Sequence, residues 1–123
     1  MRIQENLEKS KYEADGSIQI QGTTIPYHTI CEDNFFVDEE NNPVASIFSY
    51  AYFRSDVQDN SKRPILFIYN GGPGCASLWL HMGLFGPRIV KLDDELNLPT
   101  VPPFELEDNP HCLLDLCDLV FID

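Results

Sequence analysis

Positive charge is scarce in this chain: eight lysines and arginines stand against twenty acidic residues, a formal charge of −12 over 123 residues. Nucleic acids and anionic bilayers are held by basic side chains that neutralise phosphates. With no basic stripe to do so, neither is an expected partner. Long apolar runs are missing too. No stretch approaches the roughly 20 apolar residues of a membrane-crossing helix. The segment Met1 to Tyr12 lacks the apolar region of a secretory leader, so the expected location is cytoplasmic. Metal-binding spacing is also lacking. Asp93-Asp94-Glu95 and Glu105 to Asp108 match no EF-hand and read as solvated carboxylates. Cys112 and Cys117 have poor spacing for zinc and no second pair, so they read as core thiols. No metal and no cofactor is expected. Finally, none of Ser10, Ser17, Ser46, Ser49, Ser55, Ser61 or Ser77 has glycine two residues before and two after it, as a nucleophile elbow requires.

What the chain does have is concentrated between Arg63 and Arg88. Ile65 to Tyr69 is a short unbroken apolar run of β-formers, the pattern of a strand covered on both faces in a parallel sheet. Asn70-Gly71-Gly72-Pro73-Gly74 follows and strips side chains from a sharp turn, where a ligand can approach the backbone closely. Cys75 to Phe85 is apolar and free of proline, which predicts a helix opening near Gly74 with its first N–H groups toward the turn. Strand, bare turn and helix start together favour negative charge. A phosphate-gripping loop is excluded, because Gly74 is followed by Cys75-Ala76 rather than Lys-Ser/Thr. A dinucleotide fingerprint fits poorly, with Pro73 between its first two glycines and Ser77 in its last place. An oxyanion hole, where backbone N–H groups hold charge developing on a carbonyl oxygen, suits the residues best.

Several motifs in order carry a family resemblance. Asn70 to Leu78 (NGGPGCASL), Gly86-Pro87, Asp108 to Asp115 (DNPHCLLD) and Asp118 to Asp123 (DLVFID) resemble the serine carboxypeptidases of the α/β-hydrolase fold. The similarity runs from about Pro43 to Asp123. It implies an α/β domain over 17–123, the N-terminal portion of a hydrolase sheet that starts with antiparallel hairpin strands and continues into parallel strands with helices. Residues 1–16 precede it as a polar segment. It implies a serine-type hydrolase acting on peptide or protein C-termini through an acyl-enzyme, with histidine as base and aspartate as its orienter. Carried over, it makes the Gly72 N–H an oxyanion donor and makes Asn70 and Gly71 part of a clamp on the substrate carboxylate. Leu84 departs from the family, many of whose members have glutamate there. Family members that are secreted use the cysteine at Cys75 in a disulfide. An esterase or acyltransferase, or a non-catalytic interaction module, is the alternative.

The family's nucleophile, acid and base all lie beyond the last motif present, so the expectation is an N-terminal piece of a larger enzyme, inactive alone. Asp118 to Asp123 reads as a central buried strand with nothing after it to cover it. Upstream the chain reads as β-rich. Ile18 to Gln21 alternates, Gly22 breaks it, and Ile25 to Cys31 forms a second strand despite Pro26. Phe35 to Val37 and Val44 to Phe53 flank the turn-forming 38–43 as a hairpin. Leu92 to Pro103 reads as a loop, and Asn109-Pro110 as the start of a short helix through Cys117. Ser77 is expected to pack or to bond local backbone, and His81 to take a packing or surface role rather than act as a base.

Overall fold

A computed structural model describes residues 9–72 and 74–123. It is mostly strand. Strands β1 (Lys11–Ile20), β2 (Thr23–Val37), β3 (Pro43–Arg54), β4 (Ile65–Tyr69) and β7 (Asp118–Ile122) form one mixed sheet in the order β1-β2-β3-β7-β4. The first three pair antiparallel as a meander, β7 pairs antiparallel with β3, and β4 lies parallel to β7. Short strands β5 (Arg88–Val90) and β6 (Leu106–Asp108) pair separately. The helix α1 (Leu78–Leu80) continues as a π-helical turn over His81–Phe85, and a single 3-10 turn spans Asn60–Lys62.

Local chemistry explains the meander. Gln21 and Gly22 both take positive φ and turn β1 into β2. Between β2 and β3, Asp38 accepts from the N–H groups of Glu40 and Asn42, both at 2.9 Å, while Asn41 adopts φ 64°. The expected hairpin is therefore present. β1 begins at Lys11, several residues before the alternation that marks it. Its exposed Lys11, Glu13 and Asp15 suit an edge strand, and Asp15 pairs with His28 of β2 at 2.8 Å.

Because strand residues alternate sides, the register sorts the sheet into two faces. One carries Ile18, Ile20, Ile25, Ile68, Leu119 and Phe121, all buried beneath the 78–85 helical segment and the 109–117 segment. The other carries Ile65, Phe67 and Tyr69, which are 50%, 58% and 67% exposed. This corrects the expectation for β4: among the described residues it is an edge strand paired with β7 alone, and it is covered on one face because Leu80, Phe85 and Leu113 pack on the side of Leu66 and Ile68. β7, as expected, is central.

The 109–117 segment is also different from expectation. It forms turns, not a helix, with Cys112 N–H to the Asn109 carbonyl and Cys117 N–H to the Leu113 carbonyl. The end of the segment is held from outside: Arg63 Nη2 donates to the Leu114 carbonyl at 2.8 Å. The same guanidinium meets Asp118 at 3.1 Å, both side chains nearly buried, so the pair fixes this segment to the start of β7. Cys112, Leu114 and Cys117 then fill the core, the expected role of these thiols. Burial pushes the Cys112 thiol up to about 11, which leaves it inert. The 92–103 stretch is a loop, as expected. The helix content is lower than an α/β expectation, and α1 opens at Leu78 rather than near Gly74.

Candidate active site

β4 and β7 run parallel, so their carboxyl ends lie side by side, the usual place for ligands in α/β sheets. The glycine turn leaves β4 at that end, and Asp123 follows β7 there. Gly72 takes φ 78° and Gly74 φ 85°, conformations that an L side chain resists, which is why the turn is built from glycine. A Cβ added at Gly71, Gly72 or Gly74 would meet nothing within 4 Å. Both Gly71 and Gly72 are exposed. Among the described residues, no group accepts a hydrogen bond from the Gly71 or Gly72 N–H. The backbone is thus bare, and two donors are open to a ligand.

Asn70 lies half-buried at the mouth of the turn. Its Nδ2 donates to the Ala76 carbonyl at 2.6 Å and approaches Cys75 Sγ at 3.7 Å. The amide closes the turn on itself, a use that the sequence did not reveal. Cys75 N–H reaches the Gly72 carbonyl at 3.3 Å, and Cys75 is an exposed free thiol.

Behind the turn sits a polar cluster. Ser77 is fully buried, and both its N–H and its Oγ donate to Asp123 Oδ1 at 2.7 Å. The expected local bond is replaced by a carboxylate 46 residues away. His81 is buried, as expected of a packing residue. Its ring stacks on Phe121 with centroids 4.3 Å apart, and its Nε2 lies 2.7 Å from the Tyr52 hydroxyl. Burial holds His81 below the usual imidazole range, with Asp123 opposing weakly, so at neutral pH the ring is uncharged. Burial raises Tyr52 far above the phenol range. No described serine stands next to this imidazole as a nucleophile, since Ser77 Oγ faces Asp123.

The helix end is held with equal care. Gly86 N–H donates to the His81 carbonyl, and a Cβ at Gly86 would collide with that oxygen. Buried Asn109 donates to the carbonyls of Leu84 and Gly86 at 2.7 and 2.9 Å. Leu84, at the position where many family members have glutamate, is 55% exposed. Next to the helix an open apolar groove of about 900 Å³ is lined by Leu78, Trp79, Met82, Leu96 and Leu98. No cluster of metal ligands occurs, and no helix is long and apolar enough to cross a membrane, among the described residues.

Comparison with known proteins agrees with the motifs. No family model matches the chain. Over 86 residues it is 31% identical to the pheromone-processing carboxypeptidase KEX1 of Saccharomyces cerevisiae (strain JAY291), covering 70% of this chain and 10% of that protein. Over 74 residues it is 31% identical to the protein of the same name from Komagataella phaffii, covering 60% of this chain and 10% of the relative. The structure resembles the crystal structure of Kex1(delta)p, a prohormone-processing carboxypeptidase from Saccharomyces cerevisiae, with a TM-score of 0.54 and 25% identity, over 80% of this chain and 19% of that one. The chain therefore spans about a tenth of the length of the curated relatives it matches. Sequence and structure together relate this chain to a portion of the serine carboxypeptidase family.

Proposed function

We propose that this chain supplies the charge-stabilising turn of a serine-type carboxypeptidase that removes residues from peptide C-termini through an acyl-enzyme. One observation carries the reading: a bare glycine turn with its Gly71 and Gly72 N–H groups open, at the carboxyl end of a parallel strand pair. Gly72 N–H is the oxyanion donor and Gly71 N–H faces the terminal carboxylate of the substrate, while Asn70 serves that clamp by holding the turn closed through the Ala76 carbonyl. The nucleophile, base and acid come from outside this sequence, and residues 1–123 alone are inactive. The location remains the cytoplasmic expectation of the sequence.

A second reading, ester or acyl-transfer chemistry on the same turn, is favoured by the amide of Asn70, which is directed to Ala76 and not outward. Titration of N-acetyl-leucine into the ¹⁵N-labelled chain separates the two. Movement of the Gly71 and Gly72 amide resonances with the free acid, and not with its methyl ester, supports carboxylate recognition. Equal movement with both favours the second reading, and none with either refutes the site. Residues 1–123 should not label with a fluorophosphonate; stoichiometric labelling would overturn the assignment of the nucleophile elsewhere.

A further inference from the structure

The glycine turn poses a mechanical problem. Backbone donors stabilise a developing charge only when they are held in place before the charge forms, yet glycines are the residues with most freedom to lose. Something must hold this turn, and its own internal bonds do half of that. Asn70 Nδ2 to the Ala76 carbonyl closes the loop across its base, and Cys75 N–H to the Gly72 carbonyl braces its middle. Neither bond ties the loop to the sheet beyond β4.

The polar cluster behind the turn provides that tie. Asp123 is anchored to β3, its N–H donating to the Phe48 carbonyl at 3.0 Å. From there its Oδ1 receives two bonds from one residue, the N–H and the Oγ of Ser77, each 2.7 Å long. Ser77 directly follows Ala76, the residue that Asn70 holds. The turn is therefore fixed at its start by β4, across its base by Asn70, and at its end by a carboxylate at the tip of the neighbouring strand. Bonds to a carboxylate are shorter and stronger than neutral ones. Ser77 is fully buried, so breaking them leaves donors without water to replace the acceptor.

We propose that Asp123, through Ser77, is the positioning residue of the glycine turn, setting the direction of the Gly72 N–H relative to the carboxyl ends of β4 and β7. The inference rests on the reading of the turn as a donor site, but its geometry is separately measurable. Asp123 touches no substrate in this arrangement. Its effect passes along Ser77 and Ala76 to the backbone that does.

The test uses the ¹⁵N-labelled full chain and the variants Asp123→Ala, Asp123→Asn, Asp123→Leu and Ser77→Ala. In Asp123→Ala, exchange of the Ser77 amide should speed up by about ten-fold or more, and the heteronuclear relaxation of Gly71, Gly72 and Gly74 should report a looser turn. Protection of the Leu119 and Phe121 amides in β7 should persist, which distinguishes local release from unfolding. Asp123→Asn keeps an acceptor oxygen in place and should restore most of the order, whereas Asp123→Leu, of comparable bulk but with no acceptor, should leave the turn loose. Ser77→Ala removes one of the two bonds and should loosen the turn to a lesser degree; it also serves if Asp123→Ala fails to fold. Turn resonances and relaxation unchanged in both Asp123→Ala and Ser77→Ala would overturn the proposal. Binding of N-acetyl-leucine is read in parallel. If the parent chain does not bind it, the donor site is refuted while loosening in the variants still establishes the tie. If the parent binds and the Asp123→Ala variant binds equally well with an ordered turn, the positioning role alone is refuted.

Discussion

The two sides of β4 are built from similar residues and meet different surroundings. Leu66 and Ile68 point to one side of β4 and Ile65, Phe67 and Tyr69 to the other, yet only the first side is covered among the described residues. On the filled face Phe121 and Leu119 are fully buried. Across the sheet Phe67 is 58% exposed. The difference teaches that hydrophobicity in this strand reports what the sheet is able to bury, not what the folded segment does bury. It also sets which half of the molecule carries the stability that holds the glycine turn in place.

The sharpest way to break that comparison is truncation of one phenylalanine on each side. Phe121→Ala removes a ring that stacks on His81 and meets Tyr52 edge-on, and should cost about 3–5 kcal/mol of unfolding free energy. Phe67→Ala removes an exposed ring and should fall within about 1 kcal/mol of the parent. Urea unfolding of both variants decides the matter. Equal losses would mean that the exposed face is packed in solution, and the division into a filled and an open face would be wrong.

A somewhat smaller effect is expected where the covering segment is tied down. Arg63 and Asp118 form a pair whose side chains are 11% and 6% exposed, and the Arg63 guanidinium also serves the Leu114 carbonyl. Arg63→Ala leaves the nearly buried Asp118 carboxylate with no countercharge and only the Arg54 N–H as donor, and takes the Arg63 donor from the buried Leu114 carbonyl, so it should cost about 3 kcal/mol. The pair Lys91–Glu105 is of similar length, 3.1 Å, but its side chains are 54% and 56% exposed. Lys91→Ala should therefore cost at most about 1 kcal/mol. Thermal melts of the two single variants make the comparison, and a Lys91→Ala loss as large as that of Arg63→Ala would refute the argument from burial.

Much of the arrangement was legible in the residues. The glycine turn at the end of an apolar strand, the hairpin around Asp38, the central place of β7 and the core role of Cys112 and Cys117 all follow from local patterns of residue type. What was not legible depends on partners far along the chain. The 109–117 segment reads as a helix starter, but Asn109 gives its side-chain amide to the carbonyls of Leu84 and Gly86, 25 and 23 residues earlier. Ser77 reads as a residue that packs or bonds local backbone, and its acceptor is Asp123, just past the end of another strand. The first half of β1 alternates Lys11, Glu13 and Asp15 with Tyr12, Ala14 and Gly16, but its less polar side carries one large residue, Tyr12, which lies 68% exposed at the sheet edge. Asn70 was legible as a donor, but not that it would close its own turn. In each case residue type announced a capacity to bond, and only topology chose the partner.

The smallest effect expected is a pH dependence that separates His81 from His28. Burial lowers His81 below the ordinary imidazole value, so the unfolded chain binds the proton more readily. The groups facing it are Tyr50 and Tyr52 from β3, Phe121 from β7, and Asp123, whose charge opposes the shift without reversing it. Stability should accordingly be full above the unfolded value of about 6.5 and fall as the pH drops through and below it. His28 is the opposite case. Its bond to Asp15 raises it, so its contribution is present below the unfolded value and is lost as the pH rises through the folded one. Urea midpoints compared between about pH 7.5 and about pH 5 should show His81→Phe losing less stability on acidification than the parent. His28→Gln should lose more than the parent, because the compensating gain is gone. If His81→Phe acidifies with the same loss as the parent, the imidazole is hydrated in solution, and the closed cover over Phe121 that separates the filled face from the open one would have to be abandoned.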